Sequence, residues 1–312
     1  RRAGYINQTA EETVHVIVLD AGSSLTRKDF SNELVDNTTL TGLKMMGTDA
    51  TTIGDWDLRR GVTYLKRRIA DSGLTFVSAN VIESSTGELL VDPYVVIERG
   101  GLRFAITGVI QPDERFRTHR DVEDVGVEFA DPYESLRELL PKMRAESDFV
   151  ILLAHTGFVN AEELVGRLGG VDFLVLGRHG QHVGNVREFH GAIFMEPGAK
   201  GQYLTDLRAT FDDEGILTGY SGGTLALGDK VPADARILEA TKLKVEEAAL
   251  TGESLPVEKH ADPIEEEVQL GDRLNMLFSS TTVLQGSAKA LVTGTGMDTE
   301  IGKITSMVKE VE

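Results

Sequence analysis

The sequence predicts an α/β sandwich followed by a small, mainly β domain. Up to about residue 210, short apolar runs alternate with segments that carry apolar residues at helical spacing. Beyond Leu227, β-branched runs separated by glycine turns replace this alternation. With 312 residues, of which 41% are hydrophobic, the chain is long enough for two domains with separate cores.

The predicted elements of the first domain alternate between strands and helices. In chain order they are a strand at 15–19, a helix at 58–70, a strand at 76–81, a hairpin at 94–109, a helix at 133–144, a strand at 149–153, a helix at 161–168 and a strand at 171–176. Gly100 and Gly101 provide the turn of the hairpin. Asp20, His155 and Arg178 follow strand ends, and the carboxyl ends of strands in an open α/β sheet face one crevice. We therefore expect a site at that edge.

The second domain is predicted from strands at 242–245, 277–283 and 288–293. Four closely spaced glycines precede it, at positions 215, 219, 222 and 223, which is typical of a junction. We therefore expect a first domain at 1–220, a junction at 221–227 and a second domain at 228–312.

Composition excludes several kinds of partner and chemistry. The formal net charge of -18 argues against nucleic acids and anionic membranes, because both would be repelled. The chain has 0 Cys, so disulfides, thiolate metal ligands and thiol nucleophiles are absent. No apolar run approaches the roughly 18–20 residues that span a bilayer. We expect a soluble chain without a membrane segment, and its localisation is left open.

The sharpest motif lies in the second domain. Residues 228–234 read GDKVPAD, and residues 246–259 read EEAALTGESLPVEK. With further matching stretches at 275–278, 281–286 and 295–304, this segment resembles the actuator domain of cation-transporting P-type ATPases, of the calcium-type or related bacterial pumps. The actuator of that family has further strands ahead of Gly228, so the resemblance implies a truncated domain here.

The actuator resemblance implies a dephosphorylation loop at Thr251, Gly252, Glu253 and Ser254. Gly252 allows a sharp turn, and the Glu253 carboxylate can orient and deprotonate a water molecule. In the family, the matching glutamate acts on an aspartyl phosphate that lies on another domain. This sequence has no Asp-Lys-Thr-Gly phosphorylation motif, so the loop is expected to be inactive in this chain alone.

The first domain also resembles a known family, over about residues 1–227. The stretches LDAGS at 19–23, IGDWDL at 53–58, VSANV at 77–81, LAHTG at 153–157 and GRHGQ at 177–181 follow the order of motifs in 5′-nucleotidase-like metallophosphoesterases. The resemblance implies a sandwich fold, a phosphorylated small-molecule substrate and two divalent metal ions, such as Mn or Zn, that clamp the attacking water and the phosphoryl oxygens.

The departures from this pattern are substantial. Ser23 stands where the family has its metal-bridging Asp, and Asp55-Trp56 stands where the family has an Asn-His pair. Gln181 replaces a His of the last motif, and the first motif would precede Arg1. The remaining candidate metal ligands are His155, His179, Asp55, Asp20 and His182. The alternatives are that the histidines are hydrogen-bonded loop residues and that Asp20 and Asp57 satisfy the backbone of their own loops.

Three functional hypotheses follow. The favoured one is a fused or fragmentary chain that combines a degenerate metal-dependent phosphoesterase with an actuator segment, neither of them active alone. The second is an active metal-dependent phosphoesterase or nucleotidase, and Ser23 and Trp56 argue against it. The third is a ligand-binding or scaffold protein without turnover.

Overall fold

The computed structural model describes residues 2–13, 15–25, 33–112, 125–178, 186–198, 203–226, 228–252, 255–266 and 268–309. By its internal contacts the chain divides between residues 224 and 225 into two compact units. We call the part up to residue 224 the first unit and the part from residue 225 the second unit, to which Tyr203 and Leu204 also belong.

The elements up to residue 226 alternate between helices and strands over most of their length. They are α1 (Arg2–Glu12), β1 (Leu19–Asp20), α2 (Glu33–Met45), β2 (Ala50–Thr52), α3 (Asp55–Leu58), α4 (Val62–Ser72), β3 (Phe76–Val77), β4 (Val81–Glu83), β5 (Tyr94–Arg99), β6 (Leu102–Ile110), β7 (Val127–Phe129), α5 (Pro132–Glu146), β8 (Phe149–His155), α6 (Phe158–Leu168), β9 (Phe173–Leu176), β10 (Arg187–Phe189), β11 (Ala192–Met195), β12 (Tyr203–Phe211) and β13 (Leu217–Ala226).

Two sheets form the centre of the first unit. A six-stranded sheet has the order β10-β11-β9-β8-β6-β5, and a three-stranded parallel sheet has the order β1-β2-β3. Strand β8 is buried along its whole length because both of its faces are covered. Its Val150, Leu152 and Ala154 share a core with α5 and α6, while Ile151 and Leu153 share one with Val77 of β3. The predicted α/β sandwich is therefore confirmed.

The predicted hairpin is confirmed, with Gly100 at φ 63° and Gly101 at φ 80° in its turn. Two other predicted elements, a helix and a strand, are each interrupted in the structure. The helix at 58–70 is divided into α3 and α4 at Gly61, whose φ is 83°. The strand at 76–81 is interrupted before Asn80, whose side-chain amide donates to the Ile110 carbonyl at 2.7 Å and accepts from the Ile110 amide at 3.0 Å.

The second unit is built on a sheet of short and long strands. Its elements are β14 (Asp229–Lys230), β15 (Asp234–Glu246), α7 (Ala248–Thr251), β16 (Val257–Glu258), β17 (Met276–Leu277), β18 (Thr282–Gly294) and α8 (Glu300–Lys309). The order is β14-β18-β15-β16, and β17 also pairs with β15. The predicted strand at 277–283 is two strands, because the chain turns at Ser280 with a φ of 70°. The mainly β character is confirmed.

Asp234, the last residue of the GDKVPAD stretch, connects two parts of the second unit. It is buried, and its carboxylate accepts the backbone N–H of Ser279 and the backbone N–H of Glu300, both at 2.7 Å. Glu300 begins α8, so the carboxylate satisfies a donor at the amino end of that helix. Within the described ranges, no helix is long and apolar enough to cross a membrane.

Candidate functional site

The candidate site lies in the first unit, where loops follow the carboxyl ends of several strands. Residues 21–25 follow β1, residues 53–55 follow β2, His155 ends β8, and Gly177 and Arg178 follow β9. The side chains brought together there include Ser23, Asp55 and His155. Polar residues at such strand ends were predicted from the sequence, and of these His155 and Arg178 both contact Asp55.

Ser23 and His155 form the centre of this site. The Ser23 hydroxyl oxygen lies 3.2 Å from Nε2 of His155, and Nδ1 of the same ring lies 2.9 Å from the Ala21 carbonyl oxygen. His155 is nearly fully buried, with 3% of its side chain exposed. Because a carbonyl oxygen can only accept, Nδ1 carries a hydrogen. In the neutral ring, Nε2 is then the acceptor and the Ser23 hydroxyl is the donor.

Asp55 forms a two-pronged ion pair with Arg178. Arg178 Nε lies 2.8 Å from Asp55 Oδ2, Arg178 Nη2 lies 2.8 Å from Oδ1, and Nη1 donates to the Gln111 carbonyl at 2.7 Å. Asp55 Oδ2 also lies 3.6 Å from His155 Nε2. Burial alone would raise the pKa of Asp55, but the positive charge and hydrogen bonds of Arg178 help to hold this pKa below its ordinary value of 3.8.

Replacing Arg178 with methionine is expected to lower the free energy of unfolding by about 2 kcal/mol at neutral pH, since Asp55 would lose its charged partner. Because the Asp55 pKa is lowered in the folded state, the stabilisation is complete above the ordinary value of 3.8 and is lost as the pH falls through the lower folded value. The difference between the two proteins should therefore shrink in acid. Urea titrations that follow the fluorescence of Trp56, the chain's 1 Trp, measure this.

Arg137→Met is the matched control for that experiment. Arg137 pairs with Glu134 on α5, and more than half of each side chain is exposed. An exposed pair of this kind contributes about 0–1 kcal/mol. A loss in Arg178→Met that is equally large in acid and at neutral pH would contradict the assigned role of the Asp55 charge.

Asp57 and Asp20 hold the backbone of the surrounding loops. The buried Asp57 carboxylate accepts the N–H groups of Ser23 and Gly54 at 2.8 Å and of Leu25 at 2.9 Å. Asp20 Oδ1 accepts from the Gly22 amide at 3.0 Å and also from the hydroxyls of Ser24 and Thr51. The hypothesis that both aspartates satisfy loop backbone groups is confirmed by these hydrogen bonds.

Close backbone packing requires glycine beside the Ser23–His155 pair. A Cβ at Gly54 would lie 2.3 Å from Ser23 Oγ and 2.8 Å from His155 Cε1. A Cβ at Gly177 would lie 2.0 Å from the Ala21 carbonyl oxygen and 2.9 Å from His155 Nδ1. A side chain at either position would displace Ser23, Ala21 or His155. This explains the glycine in the IGDWDL and GRHGQ stretches.

The donor set of the described residues does not fit a two-metal centre. Asp55 forms an ion pair with the Arg178 guanidinium, and both ring nitrogens of His155 have polar partners. Asp20 accepts three hydrogen bonds from neighbouring backbone and hydroxyl groups. Across the described ranges, no group of three or more His, Cys, Asp or Glu residues could hold a metal ion. His179 and His182 lie outside the described residues.

The sequence alone does not indicate that Arg178 pairs with Asp55 or that Ser23 pairs with His155. Arg178 lies in the GRHGQ stretch directly after a strand, beside the histidine that drew attention. The sequence carries one indication of its role, a basic residue directly after a predicted strand. Ser23 occupies the position of the metal-bridging Asp of the phosphoesterase motif. Its proximity to His155 depends on packing between segments that are distant in sequence.

The second unit positions the other predicted site residues. Thr251 ends α7, and its hydroxyl donates to the Glu247 carbonyl at 3.2 Å. Gly252 follows in the left-handed region with a φ of 78° and donates its N–H to the Ala248 carbonyl, so the expected sharp turn is present. Glu253 and Ser254 lie outside the described residues.

A buried ion pair that the sequence did not indicate joins the two ends of this loop. Glu247 Oε1 lies 2.8 Å from Lys259 Nζ, and neither side chain is exposed. Burial raises the pKa of Glu247 and lowers the pKa of Lys259, against the attraction between them. Lys259 also donates to the Arg273 carbonyl at 3.2 Å.

Comparison with protein families identifies the C-terminal part. Residues 224–309 match the P-type ATPase actuator domain. Calcium-transporting ATPase 1 of Lactococcus lactis is 54% identical over 89 residues, which are 28% of this chain and 10% of that protein. The calcium-transporting ATPase of Bacillus subtilis is 53% identical over 83 residues, 26% of this chain and 9% of that protein. The chain thus spans about a tenth of the length of these relatives.

Comparison with solved structures identifies the fold of most of the chain. A sulfate thiohydrolase of Thermus thermophilus matches with a TM-score of 0.64 and 20% identity, over 72% of this chain and 42% of that one. A 5′-nucleotidase precursor of the same species matches with a TM-score of 0.62 and 24% identity, over 72% and 48%. A calcineurin-like phosphoesterase of Bacillus subtilis matches with a TM-score of 0.60 and 21% identity, over 72% and 81%. Over most of its length the chain is therefore similar in fold to these solved structures, and residues 224–309 match the P-type ATPase actuator domain.

Proposed function

We propose that this chain joins a degenerate phosphoesterase-like domain at 1–220, through a junction at 221–227, to an actuator segment at 228–312, and that neither part carries out its family's reaction alone. The observation that carries the proposal is the two-pronged ion pair between Asp55 and Arg178. The division of the chain into two compact units near residue 224 supports the proposed boundary.

The ion pair matters because a two-metal phosphoesterase needs carboxylate and imidazole ligands that are free to bind cations. Here the guanidinium of Arg178 supplies the positive charge beside Asp55. Ser23, at the position of the metal-bridging carboxylate, carries no charge, and Trp56 cannot ligate a metal. Divalent ions such as Mn or Zn would have to displace Arg178 before Asp55 could contribute a ligand.

The proposed role of the second unit is that of a dephosphorylation element. Glu253 would orient the attacking water, with Thr251, Gly252 and Ser254 shaping the loop around it. The left-handed turn at Gly252 supports this placement. Residues 1–312 contain no Asp-Lys-Thr-Gly motif, so hydrolysis would require a phosphorylated aspartate supplied from outside these residues.

The test of this proposal is hydrolysis of an aryl phosphate and of a nucleoside monophosphate with added manganese or zinc. We expect no phosphate release above that of a double variant His155→Ala, His179→Ala. Trp56 fluorescence should show that both proteins are folded under the assay conditions, so that the comparison is between folded chains. Turnover that the double variant and a chelator abolish would overturn the proposal in favour of an active metal-dependent phosphoesterase.

A further inference from the structure

We infer that Ser23 and His155 form a nucleophile and general-base pair that acts on carboxylic esters without a metal ion. This inference goes beyond the proposed function, which concerns the loss of metal-dependent phosphate chemistry. It begins from the 3.2 Å separation between Ser23 Oγ and His155 Nε2, which is at the outer limit of hydrogen-bond reach for a nucleophile and its base.

The orientation of the His155 ring suits this role. The Ala21 carbonyl, 2.9 Å from Nδ1, fixes the tautomer that leaves Nε2 free to accept the serine proton. In serine hydrolases a third group orients the base in the same way from Nδ1. When Nε2 gains the proton, the resulting imidazolium faces Asp55 Oδ2 at 3.6 Å. The carboxylate therefore stabilises the charge that forms during attack.

The backbone at Ser23 supplies a second, independent observation. Ser23 has a φ of 63°, in the left-handed region that serine rarely adopts, and it lies three residues after the end of β1. Its N–H donates to Asp57 at 2.8 Å, which holds the strained conformation. Strained backbone of this kind is concentrated at functional sites, and a nucleophilic serine on a sharp turn after a strand is one recurring example.

The surroundings of the hydroxyl also fit a reacting oxygen. The backbone N–H of Trp56 lies 3.3 Å from Ser23 Oγ, so a hydrogen-bond donor is already present beside the atom that attacks. Ser23 is only half-buried, whereas His155 behind it is buried.

The proposed reaction is ordinary acyl transfer. Ser23 Oγ bonds to the ester carbonyl carbon while its proton passes to His155 Nε2, and the bond to the alcohol oxygen then breaks as that oxygen takes the proton. Water then attacks the acyl carbon while its proton passes to His155 Nε2. The bond to Ser23 Oγ breaks as Oγ takes that proton, and the carboxylic acid is released. With an alkyl fluorophosphonate, the Oγ–phosphorus bond forms while the hydroxyl proton passes to His155 Nε2, the phosphorus–fluorine bond breaks and fluoride leaves, and the serine is covalently blocked.

The test is labelling of the full chain by an alkyl fluorophosphonate in the presence of EDTA, with the modified peptide located by mass spectrometry. We expect the label on Ser23 and a labelling rate at least about 100-fold lower in His155→Gln. Ser24→Ala is the matched control, because Ser24 is adjacent but its hydroxyl donates to Asp20. Ser23→Gly should lose the label and stay folded, since glycine adopts positive φ readily.

Hydrolysis of p-nitrophenyl acetate in EDTA gives the second readout, which should fall in Ser23→Gly and persist in Ser24→Ala. Absence of labelling, labelling at another residue, or a rate unchanged in His155→Gln would overturn the inference. Its failure is distinct from failure of the proposed function, which is measured as metal-dependent release of phosphate.

Discussion

Replacing Asp57 with alanine is expected to lower the free energy of unfolding of the first unit by about 3 kcal/mol. The side chain is 1% exposed, and its carboxylate is the acceptor for three backbone N–H groups, those of Ser23, Gly54 and Leu25. Alanine would leave these donors buried without an acceptor, each at a cost of about 1–3 kcal/mol, partly offset by removal of a buried charge.

The measurement is a urea titration followed by Trp56 fluorescence, with Ser24→Ala as the control. Ser24 lies in the same loop but contributes one hydroxyl hydrogen bond to Asp20, and its loss should cost about 1 kcal/mol or less. Equal losses in Asp57→Ala and Ser24→Ala would show that the three backbone hydrogen bonds are not what stabilises the loop.

The same aspartate gives a dependence on pH that can be checked separately. Burial raises the pKa of Asp57 to about 6, although the three backbone N–H groups act to lower it. Since the folded value lies above the ordinary value of 3.8, ionisation of this carboxyl costs more in the folded than in the unfolded protein, and the free energy of unfolding should fall as the pH rises from 3.8 through about 6. Asp57→Asn should lack this component, so parallel pH profiles of the two proteins would contradict it.

The fold could be predicted from the sequence where the pattern is local. The hairpin around Gly100 and the long buried strand β8 follow directly from turn residues and apolar runs. Boundaries were less accurate where a side chain or a glycine breaks a regular element, as at Asn80 and Gly61. Those breaks depend on hydrogen bonds to distant segments and on backbone angles, which periodicity does not record.

The candidate site was predictable in position but not in chemistry. His155 and Arg178, both predicted to follow strand ends, meet at Asp55. The partners were not predictable, because Arg178 reaches Asp55 across 123 positions of sequence and Ser23 reaches His155 across 132. Three-dimensional packing alone determines that the aspartate meets a guanidinium and the histidine meets a hydroxyl.

Replacing Lys259 with methionine is expected to lower the free energy of unfolding of the second unit by about 3–5 kcal/mol. The Glu247 carboxylate would remain buried without its counter-charge, and no hydrogen-bond donor other than the lysine ammonium reaches it from the described residues. Burial already raises the pKa of Glu247. The chain's single Trp lies in the first unit, so hydrogen exchange of peptides from β15, measured across a urea series, reports this loss.

The double variant Glu247→Leu, Lys259→Met distinguishes the role of the charges from that of the side-chain volume. If charge burial dominates, replacing both members with apolar residues should recover most of the loss, because neither charge is then desolvated. Lys289→Met provides the exposed control, since Lys289 pairs with Glu239 at 2.8 Å on the same sheet and 76% of its side chain is exposed. That change should cost about 0–1 kcal/mol. A double variant as unstable as Lys259→Met would instead mean that the shape of the lysine side chain, packed near Phe278, holds the two ends of the Thr251–Gly252 loop together.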